Sequence, residues 1–127
     1  MKGDRGDEVN ALTHDIIKGI ITVHRVLGPG FIESIYQRAL IIELTKLGPR
    51  VATEFDVPVE YDGQLVGRHR LDLVVNDLVI VELKTVEDLS RAHYAQVRSY
   101  LRATGLPIAL LVNFATEMAD YRRIEYG

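Results

Sequence analysis

Apolar residues recur at steps of three and four through the first quarter of the chain. Val9, Leu12, Ile16, Ile20, Val23 and Leu27 form one stripe, which predicts a helix from Glu8 to Leu27 with Asp7 as its N-cap. Gly28-Pro29-Gly30 ends it. A second helix is predicted over 32–47, with Ile35, Tyr36, Ala39, Leu40 and Leu44 inward and Gly48 as its stop. Beyond Gly48 the period falls to two. The stretch from Val51 to Thr85 alternates, is rich in β-branched residues, and carries turn signals at Asp62-Gly63 and Asn76-Asp77. Three antiparallel strands follow: 51–61, 64–75 and 78–84. Ser90 caps a third helix, 91–103, closed by Gly105. The continuous apolar run 107–114 suits a buried strand, and strand, helix, strand makes a right-handed crossover with parallel pairing. "YRRIEY" at 121–126 is a candidate edge strand. The expected fold class is α/β, a mixed sheet flanked by helices, in one domain over 8–127 behind a disordered leader, 1–7.

One strand breaks the rule for burial. "LVIVELKT" puts Glu82 and Lys84 on one face of an otherwise apolar segment, where an unpaired charge costs several kcal/mol. Asp72 lies on the preceding strand. A two-residue turn at Asn76-Asp77 would turn Asp72 and Glu82 to opposite faces. A three-residue turn, 76–78, pairs 75 with 79 and sets Asp72 against Glu82. The odd register is the one expected here. With it, two carboxylates and an ammonium converge. Hard oxygen ligands of this kind suit Mg²⁺ or Mn²⁺, with Lys84 able to orient or deprotonate a water or to stabilise developing charge. The plainer reading is a cross-strand ion pair, and spacing alone favours that one.

Other residues point the same way. Gln96 and Tyr100 lie one turn apart on the helix after this strand, and Glu33 opens the second helix. Their plain readings are surface polarity, core packing and a first-turn acid complementing the helix dipole. Arg68 and Arg70, on Asp72's face by simple alternation, are candidates for guiding a phosphate backbone; ion pairing with Glu54, Asp56 or Glu60 is the alternative. His93, with Arg91 and Arg98, is a candidate phosphate contact against a merely solvated helix face. His69 alternates towards or away from the site. His24 reads as a partly buried, hydrogen-bonded histidine. Phe31, Tyr36 and Tyr94 are the candidates for base stacking.

Composition narrows the classes. The chain has 127 residues, 47% of them hydrophobic and 26% charged, with a net charge of −3 and no cysteine. Disulfides, thiolate metal sites and cysteine nucleophiles are excluded, and a broadly basic nucleic-acid coat is disfavoured. No run reaches the roughly 18–20 apolar residues of a membrane span, and the first ten residues lack a signal-peptide core, so a cytoplasmic protein without a membrane partner is expected. Arg5-Gly6-Asp7 is the integrin tripeptide, a reading that a cytoplasmic leader disfavours.

"GFIESIY" at 30–36 resembles the G-x-x-E-x-x-Y signature of the bacterial GxxExxY proteins, within the PD-(D/E)XK nuclease superfamily. The resemblance extends through "RLDLVV", "VIVELKTVEDL" and "AQVRSYLRATGLPIALLVNF". It implies a restriction-endonuclease-like αβββαβ core and a nuclease acting on nucleic acid, DNA ahead of RNA. It also implies Mg²⁺ or Mn²⁺ held by Asp72, Glu82 and the Leu83 carbonyl, with Lys84 as the superfamily lysine. Glu33 matches the extra helix glutamate of exonuclease-like branches, and Gln96 and Tyr100 match their Q-x-x-x-Y element. The literal proline is absent, since Leu71 precedes Asp72, and Ala115 stands where members commonly have glycine. The superfamily includes members that have lost cleavage, so a non-catalytic module binding nucleic acid or a protein is the second implied reading. A small-molecule phosphoesterase is the third, because a minimal domain has little surface to grip a duplex unless it forms a homodimer.

Overall fold

The structure, a computed structural model, describes residues 2–126, with side chains from residue 6 onward. Its elements are α1 (Lys2–Leu27), α2 (Glu33–Leu47), β1 (Val51–Tyr61), β2 (Gln64–Val75), β3 (Val79–Lys84), α3 (Arg91–Thr104), β4 (Ile108–Asn113) and β5 (Asp120–Glu125). The sheet runs β1-β2-β3-β4-β5, antiparallel except for the β3–β4 pair. The mixed α/β architecture expected from the period changes is therefore present, with the "YRRIEY" segment as the edge strand β5.

Two apolar layers enclose the sheet. Ile16, Ile20, Tyr36 and Leu40 of α1 and α2 pack on Leu73, Val81, Leu83 and Phe114. On the opposite face Val97, Tyr100 and Leu101 of α3 pack on Leu71, Val74, Ile80 and Leu111. Central β3 is thus buried on both sides, which explains its unbroken apolar run around Glu82.

Three expectations are corrected. α1 begins at Lys2, so Asp7 is inside the helix and is not its cap, and the leader is helical from residue 2; Met1 and the side chains of 2–5, Arg5 of the RGD included, lie outside the described residues. Ile35 is half-exposed, because it sits at the margin of the α2 stripe. Tyr36, named as a stacking candidate, is fully buried: its ring stacks on Phe114 at 4.5 Å.

The turn between β2 and β3 has the odd count. Val75 pairs with Val79, Val74 with Ile80 and Leu73 with Val81. Asn76 and Asp77 both take left-handed backbone, with φ of 53° and 54°, which short polar side chains tolerate. Asn76 Oδ1 accepts from the Arg50 amide at 2.8 Å, which ties the turn to the start of β1. Leu78 is the extra residue that sets Asp72 opposite Glu82.

Candidate active site

Ladder pairing between β2 and β3 stops at Leu73 and Val81, and the two acids take over from it. Asp72 Oδ2 accepts from the Leu83 amide at 2.8 Å, and Glu82 Oε1 accepts from the Asp72 amide at 3.3 Å. Each carboxylate thus replaces a carbonyl of the ladder at the point where the strands part. Gln37 of α2 donates to the Asp72 carbonyl at 3.2 Å and holds the parting strand from the other side.

Lys84 completes the group. Its Nζ donates to Gln96 Oε1 of α3 at 2.9 Å and lies 3.8 Å from Glu82 Oε2. The side chains of Lys84 and Glu82 are only 18% and 6% exposed. Glu33, at the first turn of α2, is close enough for the charges of Asp72 and Lys84 to act on it. Phe31 and Gly28 place that turn: the Tyr36 hydroxyl donates to the Gly28 carbonyl at 2.6 Å and accepts from the Phe31 amide at 3.2 Å. Gly28 and Gly30 both have positive φ, 70° and 111°, so the turn before Glu33 needs glycine there.

Burial dominates the electrostatics. It raises the pKa of Glu82, and the Asp72 carboxylate adds to the rise, to about 8. Asp72 is raised by burial too, opposed by its bond from the Leu83 amide and by Lys84. Burial first and the Asp72 carboxylate second raise Glu33. Burial pushes the Tyr100 phenol up, and the charges of Glu82 and Asp72 reinforce the rise. The pair therefore sits where a proton or a cation is needed to balance its charge.

That need and the donor set fit a hard divalent ion. Asp72, Glu82 and the Leu83 carbonyl are all oxygen donors, and Mg²⁺ typically takes one or two carboxylates and keeps several waters. Among the described residues no three His, Cys, Asp or Glu side chains form a metal-holding group, so Glu33 stands outside the two-carboxylate set.

Several predicted contacts are placed elsewhere. β2 switches faces at Asp72: Leu71 packs with the α3 layer, while Leu73 packs with the α1–α2 layer. His69, and not Arg68 or Arg70, consequently faces α3, with its ring 4.7 Å from that of Tyr100. Arg70 is ion-paired with Glu54 at 3.1 Å, and Arg68 is exposed. Simple alternation missed the switch because Glu54, opposite Asp72, has a positive φ of 50° and interrupts the β1–β2 ladder. His93 closes a capping box, its Nδ1 accepting from the Ser90 amide at 2.9 Å. His24 bonds the Thr116 carbonyl through Nε2 at 2.7 Å and stacks on Phe114.

Three further residues act at the site. Glu54 reads in the sequence as an arginine partner, yet its charge also acts on Asp72 and Glu33. Gln37 gave no signal. Asn113 is fully buried; its side chain donates to the Val86 carbonyl at 2.7 Å and accepts from the Val86 amide at 3.1 Å, fixing the loop just after Lys84. A polar residue ending an apolar strand was the available clue.

The model of the PD-(D/E)XK nuclease superfamily matches residues 10–124. The chain belongs to that superfamily. Its fold is also that of the crystal structure of SSO0001, with a TM-score of 0.59 at 18% identity over 73% of this chain. The chain spans about half of that protein, 49% of its length. Among curated proteins none matches. The superfamily's divalent-metal chemistry agrees with the oxygen donors described above, and no helix among the described residues is long and apolar enough to cross a membrane.

Proposed function

We propose that the chain is a metal-dependent nuclease of the GxxExxY group that hydrolyses phosphodiester bonds in the cytoplasm, in DNA ahead of RNA. The observation that carries this reading is the acid pair itself. Asp72 and Glu82 are held by backbone amides at the splayed end of β2 and β3, beside Lys84, in an environment that opposes their charge. An ordinary ion pair does not require two neighbouring buried carboxylates for one lysine.

Asp72, Glu82 and the Leu83 carbonyl would hold Mg²⁺ or Mn²⁺. When bound, such an ion would supply Lewis-acid chemistry, polarising a phosphoryl oxygen and acidifying a water. Lys84, steadied by Gln96, orients the water and meets charge developing on the phosphoryl oxygens. Water oxygen bonds to phosphorus as the bond to the leaving sugar oxygen breaks, and that oxygen takes up a proton. Glu33 completes the polar shell on the α2 side, while Tyr100, buried in the α3 layer, supports the site and does not touch the substrate strand. Arg70, once it exchanges Glu54 for phosphate, approaches the backbone from the β1–β2 side. A duplex exceeds what one domain this small can grip, so two copies act together on it.

The test is incubation of plasmid, single-stranded DNA and RNA with Mg²⁺ or Mn²⁺, comparing wild type with Asp72→Ala and Lys84→Ala. Cleavage that EDTA and both substitutions abolish is expected. Binding of nucleic acid without cleavage in either metal, unchanged by the substitutions, would replace this reading with a non-catalytic module.

A further inference from the structure

Between β1, β2 and α3 lies a cleft of about 470 Å³ that the chemistry above does not use. Its walls include Pro58, Glu60, His69, Ser99, Arg102 and Ala103. The volume is within the range of small-ligand sites, roughly 300–1,000 Å³. A register shift between Val59 and Glu60 interrupts β1 at this point, a device that re-aims side chains beside functional sites.

The cleft and the site are built on the same two elements, β2 and α3. His69 is three residues before Asp72 on β2, about 10 Å along a strand, or a few nucleotides of a stacked chain. Tyr100 links the two regions: its ring lies against His69, and the charges of Glu82 and Asp72 act on its phenol. On α3, Ser99 and Arg102 follow Gln96 by one and two turns, so a strand running past Lys84 along α3 reaches the cleft next.

The polar groups are of both kinds. The Ser99 hydroxyl donates its proton to the Gln96 carbonyl, so its contact with His69 Nε2 at 3.3 Å is donated by the imidazole. In that tautomer Nδ1 is left as an acceptor. Glu60 adds a second acceptor and Arg102 a donor fork, between the apolar walls of Pro58 and Ala103. A phosphate would be repelled by Glu60. A flat heterocycle with an exocyclic amino group and a ring or carbonyl acceptor meets a partner on each side.

We infer that this cleft is a base-reading subsite: it takes one nucleobase with an exocyclic amino group, displaced from the strand at a fixed distance from the cut, and so sets sequence preference. The inference rests on the nuclease reading and extends it to specificity.

The test uses end-labelled single-stranded oligonucleotides with Mn²⁺, each carrying one abasic site, stepped along the strand, or one thymine replacing an amino-bearing base. Wild type is expected to show one position where the abasic site raises KM about tenfold with kcat little changed, and where thymine is also disfavoured. Arg102→Ala, His69→Ala and the cleft-filling Ala103→Leu should lose that preference while cutting abasic and intact strands alike. Arg102 is exposed, so its variant reports even if Ala103→Leu fails to fold. Wild-type cleavage with no position sensitive to base loss would overturn the subsite and leave the nuclease standing. A KM penalty from Arg102→Ala that persists on the abasic strand marks a phosphate contact and overturns it equally. Absence of all cleavage, with any metal, removes both readings together.

Discussion

Glu82 gives the sharpest test of the energetics. It is 4% exposed, and burial with the neighbouring Asp72 lifts its pKa from 4.5 to about 8. Between those values the unfolded chain has released this proton while the folded chain still holds it. Folding stability without divalent ions should therefore be greatest at the acid end of the window and fall as pH rises. One proton corresponds to about 1.4 kcal/mol per pH unit, so this group alone moves stability by a few kcal/mol across the window. Glu82→Gln keeps an oxygen for the Asp72 amide and removes the charge. Its stability should fall less steeply by about one proton, and at the alkaline end it should exceed wild type by on the order of 1 kcal/mol or more, while cleavage is lost. The assay is urea unfolding in EDTA, followed by far-ultraviolet circular dichroism across the window. Saturating Mg²⁺ should flatten the wild-type curve, because binding favours the ionised pair, and leave the glutamine variant nearly unmoved. Parallel pH slopes for the two proteins in EDTA would refute the reasoning.

Other outcomes follow from particular contacts. Deleting Leu78 makes the turn even, turning Asp72 away from Glu82; cleavage should vanish, and metal titration by calorimetry should show no site even if the chain folds. Tyr36→Phe keeps the ring stack on Phe114 but frees the Gly28 carbonyl and the Phe31 amide, at a cost of about 1–3 kcal/mol measured by thermal or urea unfolding, with reduced kcat from a misplaced Glu33. Asn113→Ala orphans the Val86 amide and carbonyl and should destabilise by about 1–3 kcal/mol in urea, with proteolysis appearing first within 85–90. Glu54→Gln frees Arg70 and removes a like charge near Asp72, so nucleic-acid affinity should rise in filter binding at low salt and the gain should shrink as salt increases.

Local signals were enough for most elements. The three strands of the meander end within a residue of where alternation and turn chemistry put them, since a buried face at period two leaves little latitude. The odd turn was legible as one of two alternatives, because only that register gives Glu82 and Asp72 a common purpose. What eluded the sequence was non-local. The face switch at Asp72 depends on Glu54, across the ladder, taking left-handed backbone, and no pattern within β2 reports it. Alternation therefore puts Arg68 and Arg70 on the wrong face and does not decide the side of His69. Gln37 and Asn113 act through backbone groups 35 and 27 residues away, contacts that exist only once the layers have packed.

The two-sided burial of β3 has a consequence for synthesis. As the chain emerges from a ribosome, β1 to β3 appear in order and can pair at once, since each joins its predecessor through a short turn. β3 is then an edge, apolar on both faces, and its partner β4 follows only after the whole of α3. At about 5–20 residues per second that gap lasts seconds, during which the strand carrying Glu82 and Lys84 is the nascent chain's most adhesive segment. Those two charges lie at the end of β3 that β4 will cover last in chain order, Lys84 beside Asn113. The residues that serve the reaction in the finished protein can thus act earlier as guards, discouraging the unfinished sheet from pairing with another copy of itself.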